Sequence, residues 1–280
     1  VIAFVGSVFS PYYYWARQRD PNTNPENHCA INIAIYGRGV RRWSMTERSA
    51  RHVSRDAQHF RVGPSQIRWC GQHLELDLNE WSVPIPQKIR GVIRLFPDQL
   101  FNFVTPLDDL RRHHWGPLAP SARVEVELEQ PSLAWKGHAY LDSNEGSEPI
   151  SHRFQEWDWS RAQFQDGSVG VLYDVRQKFG GDRLLALRFQ PDGRVDSFEA
   201  PERQSLPLGL WRVNRAIRSD ESHPAQVLQT LEDTPFYVRS VLRSGLLHEP
   251  VISMHETLNV PRLDNAITRL MLPWRMPRRP

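Results

Sequence analysis

Cysteine is scarce: the chain holds two, Cys29 and Cys70. Two thiols cannot build a disulfide scaffold or a Cys-rich zinc site, and such usage fits a reducing compartment. Both read as buried thiols without metal-ligand spacing. Lysine is scarcer than the charge total implies. Of 35 basic residues only Lys88, Lys136 and Lys178 are not arginine, and 32 acids leave a net charge of +3. That margin excludes a wholesale basic nucleic-acid binder. No apolar run approaches the roughly 18 residues of a bilayer-spanning helix, so an integral helical membrane protein is excluded. Common catalytic signatures are missing too: there is no Walker loop, no GxGxxG after a strand, no GxSxG elbow and no HExxH. His248-Glu249 and His255-Glu256 lack the second histidine.

What is present reads as sheet. The 280 residues allow about two domains, or one large one. Strict alternation from His73 to Asn79 puts Leu74, Leu76 and Leu78 on one strand face. The run Arg123 to Glu129 does the same with Val124, Val126 and Leu128, and Cys29 to Tyr36 with Ile31, Ile33 and Ile35. Runs from Trp157 to Phe164, Ser168 to Val175, Leu184 to Phe189 and Val195 to Phe198 are punctuated by Asp166-Gly167, Gly180-Gly181 and Asp192-Gly193, as in antiparallel hairpins. Val1 to Phe9 is expected to be a buried strand, with natural residues ahead of it. Helix is expected near the C-terminus and over Ala225 to Leu231. The class is all-β, with little helix. The polar stretch Ser143 to Pro149 offers a division into domains 1–147 and 148–280.

Two short runs carry chemistry-bearing side chains. On an extended backbone, residues two apart share a face. His113 and Trp115 point together, and so do His138, Tyr140 and Asp142. If these faces meet, a carboxyl group sits among an indole, a phenol and an imidazole. Aromatic walls desolvate a carboxyl group and can keep it protonated near neutral pH. Aromatic faces also stabilise cations. Such a set suits the making and holding of a carbocation. The plainer reading is a structural Tyr–Asp hydrogen bond beside a packed indole. A metal site from His113, His114, His138 and Asp142 has unspecific spacing. Trp157 and Trp159 flank Asp158 on one strand face, as a platform for an elongated ligand or as core.

These runs resemble one family, the carotenoid 1,2-hydratases or hydroxyneurosporene synthases. The resemblance rests on VIAFVGSVFSPYY (1–13), NPENHCAINIAIYG (24–37), MTER (45–48), HHWGPLAPSARVEVEL (113–128), WKGHAYLDSNEGSEPI (135–150), EWDWSRA (156–162), VLYD (171–174), LEDTPFYVRS (231–240) and MLPWRMPRR (271–279). It implies two lipocalin-like antiparallel β-barrel or sandwich domains in tandem. It implies addition of water across the terminal C1–C2 double bond of acyclic carotenoids such as neurosporene and lycopene, with no cofactor. The family's His-x-Trp and Tyr-x-Asp pattern falls on His113, Trp115, Tyr140 and Asp142. On that basis Asp142 is expected to protonate C2, Trp115 and Tyr140 to screen the C1 cation, and Asp142 or His113 to take the proton of the attacking water. The alternative role for His113 is only to orient or tune Asp142, and Trp157 with Trp159 is expected to bind the polyene.

Partners are therefore expected to be an acyclic carotenoid and water, without metal or nucleic acid. A hydrocarbon substrate implies a bacterial cytoplasmic protein resting peripherally on the inner membrane. The basic segment Pro261 to Pro280, with Ile267, Leu270 and Met271 at helical spacing, can either lie on an anionic lipid surface or pack as a terminal helix with solvated arginines. Packing is the expected arrangement. A non-catalytic apolar-ligand carrier and a cofactor-free cyclase of the same structural group are the alternative functions; a glycan-binding reading is weaker.

Overall fold

The computed structural model describes residues 1–37 and 39–279; Arg38, and Pro280 at the end of the basic segment, lie outside it. Antiparallel sheet dominates, and the strand pairings run as open paths. The chain forms two compact units. One comprises Val1–Pro97, Ala122–Ala139 and Ala266–Pro280, the other Asp98–Ser121 and Tyr140–Asn265. The units interleave along the sequence, whereas the polar stretch after Asp142 offers a single cut between 147 and 148.

In the first unit the alternating runs become strands Cys29–Gly37, Leu74–Trp81 and the second half of His113–Gln130. Lys88–Pro97 pairs with both Leu74–Trp81 and Ala122 to Gln130. Ile31, Ile33, Leu76, Leu78, Val124, Val126 and Leu128 then meet in one buried cluster. Each aliphatic side chain so buried contributes roughly 1.5–3 kcal/mol. The thiols differ from each other: Cys29 is buried in this core, where burial pushes its pKa up to about 11, but Cys70 is exposed.

Two local expectations are corrected. The first strand, Ile2–Val5, pairs with Cys29 to Asn32 but is largely exposed, because it lies at the end of its sheet path. The segment Ala225 to Leu231 is not helix. From Gln226 onward it forms part of strand Gln226–Asp233, paired with Tyr237–Leu246. Register shifts between Val227 and Gln229 and between Thr230 and Glu232 break the alternation, so the apolar spacing imitates a helix. A helix not expected, Pro11–Arg19, begins with Ser10 accepting from the Tyr13 amide, with Pro11 in the first turn. The C-terminal helices are Val260–Asp264 and Ala266–Arg275.

The second unit is built on a seven-stranded sheet. Its order is Val195–Ser197, Arg183–Phe189, Val169–Gln177, Phe154–Gln163, Glu249–Asn259, Tyr237–Leu246 and Gln226–Asp233. The expected Asp-Gly turn is present: Gly167 has φ +83°, and the Asp166 carboxylate accepts from the Ser168 amide.

Candidate active site

Within the second unit, the start of strand His113–Gln130 carries Trp115, paired with Thr105. The end of strand Leu133–Gly146 carries Tyr140 and Asp142. Trp115 is wholly buried. Its indole N–H donates to Asp142 Oδ2 at 2.9 Å, and the Tyr140 hydroxyl donates to the same oxygen at 3.1 Å. With both donors converging on Oδ2, a proton on this carboxyl group sits on Oδ1. Asp142 itself is half-buried.

Opposing effects set its acidity. Desolvation raises the pKa, the Trp115 bond lowers it, the nearby Glu256 charge raises it and the Tyr140 bond lowers it; the balance is about 6. That falls short of the mostly neutral acid expected at neutral pH. At pH 7 roughly one carboxyl group in ten is protonated. Burial and the neighbouring Asp142 push the Tyr140 hydroxyl well above the usual phenol range, so it remains a donor.

Aromatic rings surround this group. Trp115 meets Tyr173 edge-on at 5.7 Å, and Tyr173 meets Trp157 at 6.3 Å. Trp159 lies 5.3 Å from Tyr140. Phe103 and Phe189 also pack edge-on against Trp115. The cross-strand register explains the grouping: Tyr173, Trp159, Glu256 and Arg239 are successive partners across four strands and share one sheet face. Arg239 donates to Glu256 at 2.9 Å. Arg161, two residues beyond Trp159, places its guanidinium 5.9 Å from the Tyr140 ring centre. Among the described residues the buried Trp159 indole N–H has no hydrogen-bond partner.

The whole chain, residues 1–280, matches the family model described as carotenoid hydratase CrtC. The chain belongs to the CrtC carotenoid hydratase family. Similar relatives are acyclic carotenoid 1,2-hydratases. That of Rubrivivax gelatinosus is 57% identical over 99% of this chain and 69% of the relative. That of Thiocapsa roseopersicina is 47% identical over 99% and 68%, and that of Cereibacter sphaeroides 34% identical over 100% and 98%. A solved structure described as a candidate AttH from Nitrosomonas europaea is similar in fold alone. It has a TM-score of 0.60 and 12% identity, over 82% of this chain and 80% of that one.

Of the residues singled out in this CrtC family chain, Trp115, Tyr140 and Asp142 come together, and Trp159 and Trp157 extend the aromatic wall. His113 stands apart. Its Nδ1 lies 2.9 Å from Asp108 Oδ2 and its Nε2 3.0 Å from the Glu148 carbonyl oxygen. Each ring nitrogen thus faces an acceptor oxygen. Burial pushes the Asp108 carboxyl group up, but the Arg112 and His113 amides and the imidazole outweigh it, leaving it below the usual carboxylate range. His113 thus fastens the strand that carries Trp115 to two loops. His138 is exposed. Among the described residues no three His, Cys, Asp or Glu side chains gather as a metal site.

Sequence reasoning missed Asp108, Tyr173, Glu256, Arg239 and Arg161. Arg161 carries a signal, since it continues the Trp157–Trp159 alternation. Tyr173 and Glu256 enter by strand pairing, which single-strand periodicity does not reveal.

Proposed function

We propose that this chain hydrates acyclic carotenoids, adding water to the terminal C1–C2 double bond to give 1-hydroxy-1,2-dihydro products. The carotenoid 1,2-hydratase activity is that of the relatives, and the site chemistry fits it. The observation that carries the mechanism is one half-buried carboxyl group raised to about 6 while held by two donors on a single oxygen.

The double bond bears two methyl groups at C1. Protonation at C2 gives a tertiary cation at C1, whereas protonation at C1 gives a poorer secondary one at C2. Asp142 Oδ1 delivers the proton, and the Trp115 and Tyr140 donors stabilise the carboxylate left behind. The faces of Trp159, Tyr173 and Trp157 screen the cation. Water attacks C1, and its surplus proton returns to Asp142, restoring the acid. The partnerless N–H of Trp159 is a donor for that water. His113 acts by position.

Closure of the site around a hydrocarbon removes more water from Asp142 and raises its pKa further. The substrate is a membrane hydrocarbon, so a peripheral contact with the cytoplasmic face of the membrane belongs to this proposal. No described helix is long and apolar enough to cross a bilayer.

The deciding experiment incubates the protein with neurosporene or lycopene and follows product mass, in H2O and in D2O. Gain of one water, with deuterium at C2, is the expected result. Binding without mass change makes the protein a carrier, an isomeric product makes it a cyclase, and hydration without deuterium at C2 removes the proton-transfer step.

A further inference from the structure

Helix Ala266–Arg275 is turned inside out. Ile267, Leu270, Met271 and Trp274 are 69, 62, 47 and 76% exposed. Their spacing of i, i+3, i+4 and i+7 places them in one stripe along the helix. The inward side chains are Thr268, Arg269 and Leu272. The Arg269 guanidinium lies 4.3 Å over the Tyr14 ring, so a charged residue occupies the position where a water-facing helix keeps its apolar contacts. The sequence expectation of packed apolar residues and solvated arginines is reversed here.

Along the sequence the segment carries charge of one sign. From Asn265 to Arg279 there is no Asp or Glu, while Arg269, Arg275, Arg278 and Arg279 are basic. Arg275 lies 4.4 Å over the Trp43 ring and Arg278 pairs with Glu47, which fixes the basic end of the segment to the first unit. The most exposed member of the stripe is an indole, a side chain with an apolar body and one polar edge that suits the boundary between lipid headgroups and acyl chains.

We infer that the stripe Ile267, Leu270, Met271 and Trp274 inserts into the headgroup–acyl boundary of an anionic lipid bilayer. The choice of a bilayer over a protein partner rests on the one-signed basic flank and on the proposed hydrocarbon substrate. A short helix of this kind lies in the interface plane and does not span it. Arg269 is buried and Arg278 is paired with Glu47, so it is the exposed Arg279 and the half-exposed Arg275 that meet anionic headgroups, and binding weakens with salt and on neutral lipid.

The test sediments the full chain with vesicles of phosphatidylcholine alone or mixed with phosphatidylglycerol. It compares Leu270→Ser/Trp274→Ser and Ile267→Ser/Met271→Ser with the unaltered protein. These positions are exposed, so thermal melting is expected to be unchanged. The expected result is binding to the mixed vesicles, lost at least tenfold in either double variant. Hydration of detergent-dispersed carotenoid is expected to persist while hydration of vesicle-embedded carotenoid falls. Undiminished vesicle binding by both variants overturns the inference and leaves the hydratase reading standing. So does a concentration-dependent dimer that the variants dissolve while the parent ignores vesicles. If the parent binds vesicles through the stripe but never hydrates dispersed carotenoid, the surface stands and the hydratase reading falls.

Discussion

Asp142 is poised between two tendencies, and each neighbour can be tested by the direction in which it moves the acid. The reacting form is protonated, so activity is expected to be level below about pH 6 and to fall tenfold per unit well above it. The Tyr140 and Trp115 donors favour the carboxylate. Tyr140→Phe therefore moves the basic limb of the kcat/KM profile to higher pH. Glu256→Gln removes a like charge and moves it to lower pH. A common direction for the two variants would contradict the assignment. Asp142→Asn is expected to lower turnover by about 10²–10⁴-fold, the usual worth of a positioned acid. The same change bears on stability. Asp142 is raised in the folded state from 3.8 to about 6, so its ionised form opposes folding. That penalty is absent below about pH 4, grows between about pH 4 and 6, and is constant above. Asp142→Asn is accordingly expected to stabilise the protein by up to about 3 kcal/mol at pH 8 and little at pH 4, read from denaturant midpoints.

At the scale of elements, what was legible in the sequence is what alternates. Ile31, Leu76 and Val126 each belong to unbroken period-two runs, and their strands and shared core follow from that. Tyr140 and Asp142 were legible as a pair for the same reason. Bulges hid strand Gln226–Asp233, and strand pairing between distant segments hid Glu256 and Tyr173. Asp108 was hidden by lying in a loop without periodicity. One contact of this kind has a sharp steric consequence. A Cβ on Gly146 would come within 2.5 Å of His113 Cδ2, so the strand holding Asp142 closes on the imidazole only because this residue is glycine. Gly146→Ala is expected to cost about 1–3 kcal/mol by overpacking and to displace the His113 ring. A two-dimensional NMR spectrum should show the His113 and Glu148 resonances moving, and loss of activity should exceed that of a stability-matched control elsewhere. On the opposite face of the seven-stranded sheet, Asp158 accepts from Arg203 at 2.8 Å and from Thr257 at 2.5 Å. Asp158→Ala removes a buried acceptor that Thr257 and Arg203 share, while the half-exposed Arg203 keeps Glu156 and Asp174 as partners, and it is expected to cost about 1–3 kcal/mol in a chemical melt.

For the whole molecule, the order of the chain through its two units decides what can fold alone. Residues 98–121 and 140–265 make up the second unit, so the strands bearing Trp115, Tyr140 and Asp142 lie upstream of residue 148. A fragment of residues 148–280 retains the seven-stranded sheet but lacks the segments that supply its aromatic partners: Trp115 against Tyr173 and Tyr140 against Trp159. Each large ring removed from such packing forfeits several kcal/mol, comparable with the whole stability of a domain. The fragment is therefore expected to melt without cooperativity, while 1–147 and 148–280 produced together recover a cooperative transition and carotenoid hydration. A cooperative melt of 148–280 alone would instead establish an independent domain beginning after Ser147, with the proposed acid contributed from outside it.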